Sequence, residues 1–228
     1  MPARWRRMFA AYAETPEHAS AVAEAKRIIR HALTTHRQPY VAFSGGKDST
    51  CVLAMVLAER PDAMVLHWDY GTTYIPRVVH REIVVNAEAM GAQLRIETSP
   101  LYDELGDRAI NVLGRHMIGR LLPQLKREGY DVAFVGLRRE ESGKRKRRMN
   151  AGEAVGPIPE CWPVASWRWL DVWAYIVSHD LPYLSLYDER ATITGYDQSR
   201  FTTLFDPEFA KYSANTIDGL LHWRIRGK

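Results

Sequence analysis

The most restrictive feature of this sequence is an alternation. Short apolar runs recur at 40–43, 63–67 and 131–135, a further strand is expected at 93–97, and stretches with helical periodicity separate them. Helices are expected at 19–33, 49–59, 76–90 and 170–178. Residues 107–128 read as mainly helical, weakened by Gly114, Gly119 and Pro123. A fifth strand is expected at 161–164. Strands with apolar residues on both faces, joined by helices, form a parallel sheet covered on both sides with right-handed crossovers. The expected fold class is therefore α/β, a doubly wound parallel sheet of about five strands.

The length, 228 residues, suits one α/β domain with modest additions. An N-terminal helical segment (1–38), a central α/β domain (39–188) and an irregular C-terminal extension (189–228) are expected. No run approaches the roughly 18 apolar residues of a membrane span. Arg4, Arg6 and Arg7 precede an apolar stretch at 8–13 that is shorter than a signal-peptide core. Two cysteines, Cys51 and Cys161, cannot by themselves build a disulfide scaffold, a four-cysteine zinc site or an iron–sulfur cluster. The chain reads as cytoplasmic and reduced. Its net charge of +4 is concentrated. Residues 138–148 carry seven cations (Arg138, Arg139, Lys144, Arg145, Lys146, Arg147, Arg148) against Glu140 and Glu141. Such a segment reads as a local anion site, a solvated basic loop, or a track for a nucleic-acid backbone.

The first strand runs into Ser44-Gly45-Gly46-Lys47-Asp48-Ser49-Thr50, and a helix follows. Unpaired N–H groups and the dipole at a helix start attract anions, and glycines let a phosphate approach the backbone. Ser44, Ser49 and Thr50 add hydroxyl donors and Lys47 adds a cation. Asp48 suits a phosphate site if a divalent metal bridges the two. A plain Gly-Gly turn capped by Ser49 is the alternative. The spacing is neither GxxxxGK[ST] nor GxGxxG.

Ser44-Gly45-Gly46-Lys47-Asp48-Ser49 after an apolar strand resembles the PP-loop of the ATP pyrophosphatase superfamily. His67-Trp68-Asp69-Tyr70-Gly71 is similar to the His-x-Asp-Thr-Gly stretch of the phosphoadenosine phosphosulfate (PAPS) reductase and ATP sulfurylase small-subunit family, with Tyr70 in place of Thr. Gly136, Arg138, Glu141, Ser142 and Arg145 resemble its second signature. Trp162-Pro163, Trp167, 170–176, Leu181-Pro182-Tyr183 and Leu186-Tyr187 resemble its third. The resemblance implies a Rossmann-like, adenine nucleotide α-hydrolase-like fold and chemistry at the α-phosphate of ATP. It implies ATP or PAPS as ligand, with Ser44, Gly45, Gly46, Lys47, Asp48, Ser49, Thr50, Asp69, Gly136, Arg138, Glu141 and Arg145 binding it. Lys47, Asp48, Arg138 and Arg145 would be catalytic, with Asp48 beside Mg²⁺. Glu141 would orient one of the arginines.

His67 reads better as a packed, hydrogen-bonded histidine than as a ligand contact. Trp173 reads as core, and Trp162 and Trp167 as packing or as base-stacking surfaces. Cys51 and Cys161 read as inert buried thiols. The family's reductases use a late Glu-Cys-Gly-Leu-His-type cysteine, and no cysteine follows Cys161. Adenylyl transfer or pyrophosphate release is thus favoured over PAPS reduction. A sulfur-transfer subunit for DNA or tRNA and a non-catalytic nucleotide-binding regulator stay open. A small oxyanion such as sulfate is the expected acceptor. A partner subunit is implied by resemblance, since the ATP sulfurylase small subunit works with a GTPase. No membrane partner is expected.

Overall fold

The computed structural model describes residues 1–72, 74–106, 112–141 and 143–199. Five parallel strands form one sheet in the order β3-β2-β1-β4-β5. They are β1 (Pro39–Ala42), β2 (Met64–Trp68), β3 (Gln93–Glu97), β4 (Val132–Val135) and β5 (Glu160–Cys161). The registers Tyr40↔Met64 and Tyr40↔Ala133 place β1 between β2 and β4. The order reverses at β1, so the carboxyl ends of β1 and β4 diverge into a crevice, where such sheets bind ligands. The expected doubly wound α/β fold is present.

Helices α1 (Ala3–Ala13) and α2 (Pro16–Thr35) precede the sheet. The Thr15 side chain accepts the His18 N–H and Pro16 occupies the first turn, so α2 starts three residues earlier than its alanine-rich stretch suggests. Phe9 of α1 stacks on Trp173 of α8 (Trp169–Ser178) at 6.0 Å, and both are fully buried. Helix α3 (Lys47–Glu59) follows β1. Val52, Leu53, Val56 and Leu57 form an apolar stripe along it, and all four are buried. The structure also buries Cys51, Met55 and the polar first turn, as befits a helix enclosed all round.

Helix α4 (Arg77–Ala89) joins β2 to β3 within one residue of the expected bounds. Of the expected helix at 107–128, residues 107–111 lie outside the described residues. The remainder follows α5 (Leu101–Leu105) as a π-helical stretch, Leu113–Leu121, and α6 (Leu122–Arg127). β5 is shorter than expected and begins one residue earlier. Pro163 has no N–H for a ladder, and Ala165 N–H bonds back to the Trp162 carbonyl as a turn.

A solvated loop was one of the readings open for the basic segment. The segment is a single 3₁₀ turn at Arg139–Glu141 and then a helix, α7 (Gly143–Ala151), rather than a loop. Lys, Arg, Met and Ala are all good helix formers, and no Gly or Pro interrupts 144–151. Helix α9 (Leu186–Thr194) crosses position 188, where the sequence division was drawn. Residues 200–228 lie outside the described residues.

Gly136 ends β4 against the start of α3. A Cβ there would stand 2.5 Å from the Ser49 nitrogen and 2.7 Å from the Asp48 carbonyl carbon, both backbone atoms that cannot yield cheaply. Gly136→Ala should therefore cost about 1–3 kcal/mol of stability. Urea unfolding measures it, and an unchanged midpoint would contradict this close approach.

Candidate functional site

The crevice at the β1/β4 divergence is lined on one side by Ser44, Gly46, Asp48 and Ser49 of the glycine loop. Gly136, Leu137, Glu141 and Arg145 from the β4 side face them. Leu66, Trp68, Tyr70 and Met117 supply an apolar wall. Charged and polar groups thus share one cavity with a surface suited to a planar ring.

The loop is built by its own side chains. Gly45 adopts φ +80°, and a Cβ there would meet Ile83 of α4 at 2.5 Å. The Ser44 hydroxyl accepts the Gly46 N–H at 3.3 Å and lies 3.1 Å from the Ser49 hydroxyl. Ser49 and Thr50 hydroxyls donate back to the Gly46 carbonyl at 2.8 and 3.2 Å. Thr50 is buried and does not line the crevice.

Behind this wall lies a chain of alternating charges. Lys47 is 2% exposed, and its Nζ donates to Asp48 Oδ2 at 3.1 Å. Arg138, also 2% exposed, donates its Nε to the other oxygen, Asp48 Oδ1, and a terminal nitrogen to Glu140. Glu140 in turn accepts the Trp169 N–H at the start of α8, at 2.7 Å. Burial works against the Asp48 carboxylate, but the Arg138 and Lys47 charges outweigh it and hold its pKa at about 2. Burial likewise opposes the Arg138 charge, and Asp48 and Glu140 more than restore it. At the mouth, Arg145 pairs with Glu141, whose carboxylate also accepts the Arg138 N–H at 3.3 Å. The Glu141 carboxylate therefore contacts both the Arg145 guanidinium and the backbone that carries Arg138.

Of the four residues expected to be catalytic, Asp48 and Arg145 reach the crevice, whereas Lys47 and Arg138 lie behind Asp48. Both Asp48 oxygens are engaged by cations, which makes this carboxylate a poor fit for a resident Mg²⁺. Among the described residues, no group of three or more His, Cys, Asp or Glu side chains converges as a metal site. Asp69 does not line the crevice either. Its carboxylate accepts the Gly71 N–H at 2.8 Å and Arg77 at 2.7 Å, which shapes the turn after β2. Ser142 lies outside the described residues.

Sequence reasoning missed Trp68, Tyr70 and Met117 as cavity walls. Trp68 donates its indole N–H to the Tyr102 hydroxyl at 3.0 Å, and Tyr70 packs against the same ring at 6.2 Å. His67 is a packed histidine. Its Nδ1–H donates to the Phe43 carbonyl at 2.9 Å, and burial pushes its pKa down to about 4. Trp167 is buried and donates to the Ala21 carbonyl at 3.1 Å. Trp162 donates to Glu160 at 2.8 Å and lies beneath the Arg148 guanidinium. Cys51 is fully buried, and burial pushes its thiol well up. Burial pushes Cys161 up to about 12. Neither cysteine lines the crevice.

This is a doubly wound α/β protein with a glycine-loop crevice at its switch point. The phosphoadenosine phosphosulfate reductase domain matches residues 38–204, and the chain belongs to that family. It is 27% identical over 201 residues to the sulfate adenylyltransferase subunit 2 of Maricaulis maris, covering 72% of this chain and 65% of that one. The Burkholderia lata protein of the same name is 26% identical over 204 residues, at 72% and 66% coverage. The chain thus spans about 65% of the length of these relatives. Among solved structures, a PAPS reductase from Candida auris in a phosphate complex superposes with TM-score 0.53 at 17% identity, over 73% of this chain and 85% of that one. A U34-tRNA thiolase from Methanococcus maripaludis that carries an iron–sulfur cluster gives 0.52 at 15%, over 91% and 80%. These two likenesses bear on the fold. Among the described residues, no helix is long and apolar enough to cross a membrane.

Asp48 has an ordinary pKa of 3.8 and a depressed folded value of about 2. Its ion pairs therefore contribute stability that is complete above about pH 4 and lost as pH falls through about 2. Asp48→Asn should flatten that acid limb. At pH 7 it should cost about 3–5 kcal/mol, because Arg138 and Lys47 keep buried charges. Urea unfolding at pH 7 and across about pH 4 to 2 checks this, and a variant with the wild-type acid limb would contradict it.

Proposed function

We propose that the chain binds ATP in this crevice and transfers its adenylyl group to sulfate or a related small oxyanion. The carrying observation is the division of one cavity into an anion-suited rim and an apolar wall. An α-phosphate seated between the first turn of α3 and Arg145 meets helix-end N–H groups on one side and a guanidinium fork on the other. The adenine ring lies toward Trp68, Tyr70, Leu66 and Met117. A sulfate oxygen attacks the α-phosphorus, the bond to the bridging β-phosphate oxygen breaks, and pyrophosphate leaves. Sulfate carries no proton at neutral pH, so no general base is needed.

Catalysis then consists of positioning and stabilisation of charge on the phosphate oxygens. Arg145, aimed by Glu141, contributes directly. Lys47 and Arg138 act from behind, by fixing Asp48. Mg²⁺ belongs to the nucleotide phosphates on this reading, not to a protein site. The names of the relatives, adenylyltransferase subunits, support this activity and a second subunit as partner. Both cysteines lie away from the crevice, which favours adenylyl transfer over reduction of a sulfonucleotide. Arg148 pairs with Glu160 and Arg145 with Glu141, so α7 is not a continuous free cationic track for nucleic acid.

Sulfate-dependent pyrophosphate release from MgATP tests the proposal. Arg145→Ala should lower kcat/KM about 100-fold, and Arg148→Ala, outside the crevice, by less than about twofold. Tight ATP binding without pyrophosphate release from ATP in the presence of any oxyanion acceptor would overturn the catalytic reading and leave a nucleotide-binding regulator.

A further inference from the structure

We infer that Tyr187 of α9 is a positioning residue of the glycine loop and acts through Lys47, an inference that rests on the nucleotide reading above. Lys47 does not line the crevice, and a residue 140 positions later contacts both its backbone N–H and its Nζ. The Tyr187 hydroxyl accepts the Lys47 backbone N–H at 3.1 Å. The Tyr187 ring lies 5.7 Å from the Lys47 Nζ, within range of a cation–π contact. Tyr187 is itself fixed, being 1% exposed and set edge-on against Trp173 at 5.3 Å and 84°.

Each contact has a consequence at the crevice. The Lys47 N–H belongs to the first turn of α3, the donor set that a phosphate approaches. Its bond to the hydroxyl fixes the tilt of the Gly46–Lys47 peptide, and with it the N–H groups that follow. The Nζ, steadied over the ring, bonds Asp48 Oδ2, and Asp48 lines the crevice. One aromatic side chain thus sets the direction of the loop backbone and of the loop carboxylate. Tyr187 does not line the crevice. Its effect is to preorganise the anion-binding turn so that a phosphate meets donors already in place.

The test compares three ligands by calorimetry: inorganic pyrophosphate, ATP and adenosine. Tyr187→Phe keeps the ring and removes the acceptor. It should weaken pyrophosphate and ATP by roughly three- to tenfold, the effect of one hydrogen bond, and leave adenosine unchanged. Exchange of the Lys47 amide proton, followed by NMR, should accelerate in the unliganded variant. Tyr183→Phe removes another hydroxyl that seats α9, one of those bonded to Asp188, and should leave all three affinities unchanged. Unchanged pyrophosphate affinity in Tyr187→Phe would overturn this inference and spare the nucleotide reading. Equal weakening of all three ligands would mark Tyr187 as merely structural. A wild-type protein that binds none of the three defeats the nucleotide reading, and this inference with it.

Discussion

The crevice depends on one buried contact, the pairing of Asp48 with Arg138. β1 delivers the first residue at the head of α3, and β4 delivers the second through the loop that follows it. Their hydrogen bond closes the space between two strands that diverge. Lys47, Asp48, Arg138 and Glu140 alternate in sign, so the chain of charges is neutral as a whole. Buried pairs of this kind add little net stability over apolar packing, because desolvation offsets the attraction. What they supply is direction, since a misplaced partner leaves a charge stranded. The pull on an anion therefore falls to the helix end and to Arg145, not to the buried cations.

Much of this was legible in the sequence. The strand–loop–helix around Gly45 and Gly46 could be read because its signals are local: an apolar run, two glycines and the onset of a helical stripe. β3 and α4 were legible from local signals too, Gly91 closing the helix and the strand following it. The roles of Lys47 and Arg138 were not. The direction of a first-turn side chain is set by what packs against it, and for Lys47 that is Tyr187, far along the chain. Met117 escaped notice because it lies in a π-helical stretch that no 3.6-residue period describes. Trp68 and Tyr70 stood within the 67–71 motif beside residues with more obvious chemistry, and nothing local marked them as a cavity wall.

The basic segment shows how composition can mislead about form. Its density of cations left a local anion site, a solvated loop and a nucleic-acid track open, and helix propensity with the Arg145–Glu141 pair at i, i+4 organises it as α7. The segment then divides by role. Arg145 faces the crevice, Arg148 bonds Glu160 and covers the Trp162 ring, and Lys146 and Arg147 are exposed. A run of like charges in a sequence is thus several different environments once wound into a helix.

The strand order also governs when the site comes into being. β2 and β3 can join β1 through successive local crossovers, but β4 must return across some 90 residues to reach the opposite edge of β1. Closing so long a loop costs entropy before any contact repays it, which places such pairings late in folding. A nascent chain that ends before residue 132 carries three of the five strands and the glycine-loop residues, but lacks the opposite wall and the Arg138 and Tyr187 contacts that fix the loop. Ligand binding thus reports completion of the sheet, and a bound nucleotide would stabilise the junction that forms last.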